Sequence, residues 1–95
     1  MKIQYDPDFL KTLKKVNIRI RKSLRKRIEI FLKNPSDPEL NNHKLKDEYK
    51  EYRSIDITAD YRAIYEEINK DDEPIAYFFL IGTHEQLYNP PKKDN

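Results

Sequence analysis

Apolar residues recur at helical spacing through the first third of the chain. The opening stretch MKIQYD alternates like a short strand, and Asp6-Pro7 then offers an N-cap followed by proline at the first helical position. The apolar positions after it recur every three or four residues, as on one face of a helix: Phe9, Leu10, Leu13 and Val16. The pattern therefore predicts a strand followed by a first helix.

A second helix is predicted in the segment IRIRKSLRKRIEIFLK, which follows Asn17. Its apolar residues share one face at helical spacing: Ile20, Leu24, Ile28 and Phe31. We expect this helix to end at Asn34-Pro35, because proline disfavours the helical conformation of the residue before it.

The rest of the chain has the pattern of a loop and then of strands. Residues 35–46, PSDPELNNHKLK, have loop composition, and three strand-like runs follow: EYRSIDI, DYRAIYEEI and PIAYFFLIG. The last run is apolar on both faces, as in a central strand. The fold predicted is α+β, with an N-terminal strand and two helices packed on one face of a small antiparallel sheet that ends in a three-stranded meander.

Length and composition narrow the class of protein. At 95 residues the chain supports one domain, predicted to span residues 1–88, with residues 89–95 as a flexible tail. No run is long and apolar enough to cross a bilayer and no signal-peptide layout is present, so a cytoplasmic protein is expected. The absence of cysteine excludes disulfides and thiol nucleophiles, and with two histidines we expect neither a metal site nor a cofactor.

Charge is distributed unevenly along the chain. Residues 1–34 hold 11 Lys/Arg against 3 Asp/Glu, whereas residues 35–95 hold 8 against 14. A basic segment of this kind favours a nucleic-acid partner or an acidic protein partner, and charge by itself does not choose between them.

The single glycine, Gly82, ends the last apolar run and comes just before Thr83-His84. Glycine at the end of a strand serves an unusual backbone angle or a close approach, so we expect Gly82 to redirect the chain and present His84. Other polar residues also fall near predicted strand ends, and together with His84 they suggest a site: His43, Asp56, Asp60, Arg62 and Tyr88.

The face on which these residues lie depends on the turn before the third of the four predicted strands. A three-residue loop of residues 57–59 pairs Asp56 with Asp60, whereas a two-residue loop pairs Ile57 with Asp60 and separates the two aspartates. The pattern leaves both registers open.

The ordered pieces NNHKLKDEYKEYRSIDITADYRAIYE and LIGTHEQLY resemble the RelE/ParE superfamily of type II toxins, and most closely its YafQ-like branch. The resemblance covers residues 2–88. It implies a toxin that cleaves mRNA on the ribosome, inhibits translation and is neutralised by a cognate antitoxin, with the toxin–antitoxin complex forming a higher-order oligomer.

The resemblance also assigns roles to individual residues. His43, Asp60 and His84 match the branch's loop histidine, strand aspartate and C-terminal histidine, while Asp56 stands where close relatives often carry another histidine. Three further matches concern RNA: Tyr61 with a tryptophan, Tyr88 with a terminal aromatic residue that contacts RNA, and Arg62 with a phosphate-binding arginine. The usual glycine is missing at Lys46-Asp47.

Metal-free RNA cleavage by the ribose 2′-OH needs a base, an acid for the leaving 5′-oxygen and a cation for the added negative charge. Histidine, with an ordinary pKa of about 6.5, serves either proton transfer near neutrality. We therefore assign His84 as general acid and His43 as base oriented by Asp60, with Asp60 acting directly as the alternative. The remaining assignments are Arg62 for the phosphorane charge, Asp56 as a further catalytic candidate, and Tyr61, Tyr88, Lys46 and Arg53 for substrate binding.

The basic helices are candidates for contact with ribosomal RNA phosphates, through Lys11, Lys14, Lys15, Arg19, Lys22, Arg25 and Lys26. Two other functions stay open. ParE-like relatives inhibit DNA gyrase without catalytic histidines, which the presence of His43 and His84 disfavours, and an inactive member would only bind its antitoxin.

Overall fold

The structure, a computed structural model, describes residues 1–46 and 51–88. The strands are β1 (Lys2–Tyr5), β2 (His43–Lys44), β3 (Tyr52–Asp56), β4 (Tyr61–Lys70) and β5 (Glu73–Thr83). The helices are α1 (Pro7–Lys15), α2 (Ile18–Lys33) and α3 (His84–Tyr88), with a single 3₁₀ turn at Pro38–Leu40. No helix in these ranges is long and apolar enough to cross a membrane.

The two long helices begin where local sequence signals predict, and α2 also ends where its signal predicts. The Asp6 carboxylate accepts a 2.8 Å hydrogen bond from the Asp8 N–H ahead of α1, and the Asn17 side chain accepts one of 2.7 Å from the Arg19 N–H ahead of α2. The helix α2 ends at Lys33, before Asn34 and the following proline.

The strands form one five-stranded sheet in the order β1-β5-β4-β3-β2. Strand β1 runs parallel to β5, and all other neighbours are antiparallel. The predicted α+β architecture is therefore confirmed, and β5 is an interior strand between β1 and β4, as its apolar pattern predicted. Asp71 and Asp72 form the β4–β5 turn with φ of 55° and 62°, a pair of left-handed residues that matches the twist of a two-residue hairpin.

The hydrophobic core lies between α1, α2 and one face of the sheet. Phe31 of α2 is fully buried, with its ring centroid 5.2 Å from that of Tyr65 and 5.7 Å from that of Phe78. Ala63 and Tyr65 of β4 belong to this core, so the alternate residue Arg62 faces the other side of the sheet.

Two elements differ from the predictions. The segment predicted as a loop, residues 35–46, contains the 3₁₀ turn and β2, which pairs His43 with Ser54. The helix α3 was not predicted, although THEQ has the sequence of a capping box. The predicted tail of residues 89–95 lies outside the described residues.

Candidate functional site

A cavity of about 380 Å³ opens on the sheet face opposite the two long helices. Its size falls within the range of ordinary ligand pockets. It is lined by Asn41, His43, Lys44, Leu45, Lys46, Arg62 and His84. Three of these residues are cationic, two are histidines, and no acidic residue of the described chain lines the cavity, so the cavity suits an anionic ligand.

A reciprocal capping box positions His84. The Thr83 N–H donates to Gln86 Oε1 at 2.9 Å, and the Gln86 N–H donates to Thr83 Oγ1 at 3.1 Å. The His84 N–H also donates to the backbone oxygen of Asp60 at 2.9 Å. These bonds start α3 at the cavity and place His84 at its first position.

Gly82 lets α3 lie close against the sheet. A Cβ at this position would lie 3.1 Å from Gln86 Oε1 and 3.3 Å from Leu87 Cδ2, closer than side chains normally pack. Its φ is not positive. Of the two expected reasons for glycine here, close approach is confirmed and an unusual backbone angle is wrong.

The β3–β4 turn adopts neither predicted register. Asp56 pairs with Arg62, and the loop consists of residues 58–60. The physical reason is the side chain of Thr58, whose Oγ1 accepts a hydrogen bond of 3.0 Å from the Tyr61 N–H and stabilises a turn one residue later than predicted. This register puts Asp56 and Arg62 side by side on the cavity face.

Contacts on several sides hold the Arg62 guanidinium in place. Its Nε lies 2.9 Å from Asp56 Oδ1, and the two side chains are only 16% and 24% exposed. Asp56 Oδ1 is buried and accepts no hydrogen bond from a described residue, since the Nε–H of Arg62 does not point directly at it. The contact is therefore an ion pair. Arg62 Nη1 donates to three backbone oxygens at 3.1–3.2 Å, those of Thr58, Ala59 and Tyr61. No described residue accepts from Nη2, which therefore remains able to bind an anion.

His43 is held by a backbone oxygen and not by Asp60. Its Nδ1 lies 2.7 Å from the backbone oxygen of Asn41. In the part of the chain that the structure describes, Asp60 makes no hydrogen bond with His43 and contacts His84 through its backbone instead. The expected orientation of His43 by Asp60 is thus wrong, because the turn of residues 58–60 directs the Asp60 backbone toward α3.

Two predicted substrate-binding residues lie away from the cavity. Tyr61 packs against the hydrophobic core, as strand alternation requires for the neighbour of Arg62. Arg53 pairs with Tyr65 on the core face, and its Nε donates to Asn42 Oδ1 at 2.8 Å. Both residues lie on the core face for the same reason: alternate residues of a strand face opposite sides of the sheet. Their role in substrate binding stays a prediction.

Lys46, also predicted to bind substrate, lines the cavity, whereas the Tyr88 side chain is outside the described part of the chain.

The seven basic helix residues predicted to contact RNA are all exposed. They belong to α1 and α2, on the side of the sheet away from the cavity, and so form a separate basic surface: Lys11, Lys14, Lys15, Arg19, Lys22, Arg25 and Lys26.

Asn41 is a cavity residue that sequence reasoning missed. It adopts a left-handed conformation, with φ 48° and ψ 45°, and its N–H donates to the Pro38 oxygen to close the 3₁₀ turn. The dipeptide Asn41-Asn42 before His43 was the available signal, because asparagine tolerates this conformation better than most residues.

Within the described residues no group of three or more His, Cys, Asp or Glu side chains is placed to hold a metal ion.

Comparison with known proteins gives one family match and several structural matches. The sequence model of the family "Bacterial toxin of type II toxin-antitoxin system, YafQ" matches residues 1–89. No curated protein sequence matches the chain significantly. The fold is similar to that of YafQ from E. coli strain BL21(DE3), at 24% identity and a TM-score of 0.73, over 93% of this chain and 98% of that chain.

Two structures of toxin–antitoxin complexes are also similar. The E. coli DinJ-YafQ complex matches at 26% identity and a TM-score of 0.67, over 93% of this chain and 97% of that chain. The RelB-RelE antitoxin-toxin complex from Methanococcus jannaschii matches at 27% identity and a TM-score of 0.63, over 90% of this chain and 94% of that chain.

Proposed function

The chain belongs to the YafQ family of bacterial type II toxin–antitoxin toxins, and from this premise we propose that it is a ribosome-dependent endoribonuclease that cleaves mRNA without a metal ion. The observation that carries the proposal is the cavity in which two histidines and three cationic side chains meet. Family membership supports a toxin, and the chemistry of these side chains supports RNA cleavage as the way it acts.

The cavity supplies each group that 2′-OH attack on a phosphodiester requires. His43 takes the proton from the 2′-OH, His84 protonates the leaving 5′-oxygen, and Arg62 stabilises the charge of the pentavalent intermediate. Its Nη2 has no acceptor among the described residues, so the phosphate displaces no protein contact when it binds. Lys46 adds positive charge at the cavity wall.

Asp56 acts in this scheme through Arg62. The carboxylate lies 2.9 Å from the guanidinium Nε, so it fixes the orientation of the arginine that meets the phosphate. Its proposed role is therefore to position Arg62 and not to transfer a proton. Asp60 holds the start of α3 through its backbone oxygen. This contact does not use the Asp60 carboxylate, which is the second candidate for the base.

The basic surface on α1 and α2 supports the ribosome as the platform for this reaction. Its seven exposed cations lie on the opposite side of the sheet from the cavity, so they can bind ribosomal RNA phosphates while the cavity faces the mRNA. Alignment of the 2′-OH with the scissile phosphate by the ribosome then supplies much of the rate. Since ribosomes are the proposed site of action, the toxin is proposed to act in the cytoplasm.

The partner that neutralises the toxin is proposed to be an antitoxin that binds across α1 and α2. A groove of about 310 Å³ runs between these helices and exposes apolar side chains, with Leu10 42% exposed and Arg21 and Arg25 beside it. An amphipathic helix with acidic flanks fits a groove of this kind. The toxin–antitoxin complex is expected to assemble into a higher-order oligomer.

The test of the nuclease is mRNA cleavage on programmed ribosomes by purified, antitoxin-free protein, with cut sites mapped by primer extension. We expect cleavage in the A-site codon, and a loss of roughly 10²–10⁴-fold in His84→Ala, the usual contribution of a general acid. Glu85→Ala is the matched control, because Glu85 is an exposed neighbour on α3 that does not line the cavity.

Failure of folded wild-type protein to cleave mRNA would overturn the nuclease. In that case a gyrase assay follows, in which trapped DNA breaks with translation initially intact mark a ParE-like inhibitor. Binding of antitoxin without either activity marks an inactive member.

The test of the groove is antitoxin binding by two variants. Leu10→Glu should weaken binding at least tenfold, whereas Leu32→Glu should not, because Leu32 is 54% exposed but lies outside the groove. Equal effects of the two substitutions would contradict this placement of the antitoxin.

A further inference from the structure

Asn41 joins two parts of the cavity that the sequence separates. Its backbone oxygen lies 2.7 Å from His43 Nδ1, and its side-chain Nδ2 lies 3.4 Å from Asp56 Oδ2, the carboxylate that pairs with Arg62. Asn41 itself lines the cavity. One residue therefore contacts both the histidine and the ion pair.

The contact with His43 determines which ring nitrogen carries the proton. A backbone carbonyl oxygen only accepts hydrogen bonds, so Nδ1 must be the donor across this 2.7 Å distance. In the neutral imidazole the other nitrogen, Nε2, then has the lone pair. No described residue hydrogen-bonds to Nε2, so this atom is available to accept a proton from a ligand.

The left-handed backbone of Asn41 is what aims the carbonyl. With φ 48° and ψ 45°, the chain turns sharply between the 3₁₀ turn and β2, and the Asn41 oxygen points toward the side chain two residues later. For residues other than glycine, asparagine and aspartate this conformation costs about 1–2 kcal/mol. A residue that avoids it would rotate the carbonyl away from His43.

We propose that Asn41 is a positioning residue which, through its left-handed backbone, holds His43 as the Nδ1–H tautomer and so makes Nε2 the proton-accepting atom of the cavity. This inference rests on the proposed nuclease for its catalytic consequence, but the tautomer itself does not depend on activity. The side-chain contact with Asp56 is secondary, because at 3.4 Å it is the longer of the two.

Two substitutions separate the backbone from the side chain. Asn41→Gly removes the amide but keeps easy access to positive φ, whereas Asn41→Val is β-branched and disfavours it. Asp72→Val is the matched control, since Asp72 has φ 62° in the β4–β5 turn and does not line the cavity. Asn41→Ala is the milder second variant if Asn41→Val does not fold.

The first readout is the ¹⁵N NMR signals of the His43 ring in antitoxin-free protein at a pH where the ring is neutral. We expect Nδ1 to be protonated in wild type, Asn41→Gly and Asp72→Val, and the Nε2–H form to increase in population in Asn41→Val. A wild-type ring protonated mainly at Nε2, or the same tautomer in Asn41→Val as in wild type, would overturn the proposal.

The second readout is cleavage on programmed ribosomes. We expect Asn41→Val to reduce kcat at least about tenfold, equivalent to ~1.4 kcal/mol of barrier, and Asn41→Gly, which loses only the amide contact with Asp56, to reduce kcat by less. Equal reductions in both variants would overturn the backbone role. If the expected tautomers are found but wild type does not cleave mRNA, the nuclease fails while the positioning of His43 stands.

Discussion

The two faces of the sheet are held by different kinds of interaction. On the helix-covered face, Phe31, Tyr65 and Phe78 pack ring against ring, with centroids 4.9–5.7 Å apart. On the cavity face, the decisive contacts are the Asp56–Arg62 ion pair and hydrogen bonds from side chains to backbone oxygens. Apolar packing depends little on direction, whereas these polar contacts fix single atoms.

The difference separates stability from geometry. Burial of the aromatic cluster supplies much of the free energy that keeps the chain folded, and the polar contacts opposite place the groups that meet a ligand. Substitutions on the two faces should therefore be distinguishable, because one set should change unfolding and the other should change cleavage with little change in unfolding.

The largest effect is expected from Phe31→Ala on the helix-covered face. Removing a ring that is fully buried leaves a cavity, and the free energy of unfolding should fall by about 3–5 kcal/mol. Urea denaturation measures this change. The neighbouring Leu32 is 54% exposed, so Leu32→Ala should stay within ~0.5 kcal/mol of wild type. A decrease below about 1 kcal/mol for Phe31→Ala would refute this account of the core.

Gly82→Val tests the cavity face. The added methyl groups would press on Gln86 and Leu87 and push α3, with His84, away from the sheet. We expect cleavage on ribosomes to fall roughly 10–100-fold and unfolding free energy by about 1–3 kcal/mol. Gly82→Ala is the graded control and should have a smaller effect on both. If Gly82→Val cleaves as fast as wild type, the close packing of α3 does not position His84.

The basic surface is expected to affect binding to the ribosome without affecting the fold. Lys22→Glu should weaken association and reduce the slope of log K against log salt by roughly 0.7–0.9 for each RNA phosphate that the protein no longer neutralises. Lys70→Glu makes the same charge change at an exposed residue at the end of β4, outside this surface. Equal salt slopes for the two variants would show that α2 does not contact RNA.

The smallest effect concerns the junction of β1 and α1. The Tyr77 hydroxyl donates to the Asp6 carboxylate at 2.5 Å, and this bond, with the Asp8 N–H, lowers the pKa of Asp6 below its ordinary value. The bond therefore stabilises the fold above the ordinary aspartate pKa of 3.8, and this stabilisation is lost as the pH falls through the lower folded value.

The measurement is the melting temperature of wild type and Tyr77→Phe from about pH 6 to about pH 2.5. Because both groups are only partly buried, we expect a small advantage for wild type at about pH 6 that shrinks in acid. A difference that does not change with pH would show that the hydrogen bond is not coupled to the charge of Asp6.

Much of the fold could be predicted because its signals are local. Asp6-Pro7, Asn17 and Asn34-Pro35 delimit the two long helices, and the unbroken apolar run of β5 marks a central strand. His43, Arg62, His84 and Lys46 were named from the chain and its resemblance to toxins, and they do line one cavity. His43 and His84 could be found because they are the only two histidines of the chain, and Arg62 because the resemblance marks a phosphate-binding arginine at that position.

The missed features depend on single-residue register and on backbone direction. Thr58 decides that Asp56 lies opposite Arg62, and this one-residue shift also explains why Asp60 contacts α3 and not His43. The same dependence on strand geometry puts Tyr61 and Arg53 on the core face, which residue identity alone did not indicate.

The sequence by itself determined the type and order of the main helices and strands, the family, and several residues that line the cavity, because capping, periodicity and residue identity are properties of neighbouring positions. Only the tertiary structure decided which atoms meet. The Asp56–Arg62 pair depends on hydrogen bonding between strands, and the close packing of α3 on Gly82 depends on the space left by a missing Cβ. The contact between Asn41 and His43 depends on the left-handed backbone of Asn41.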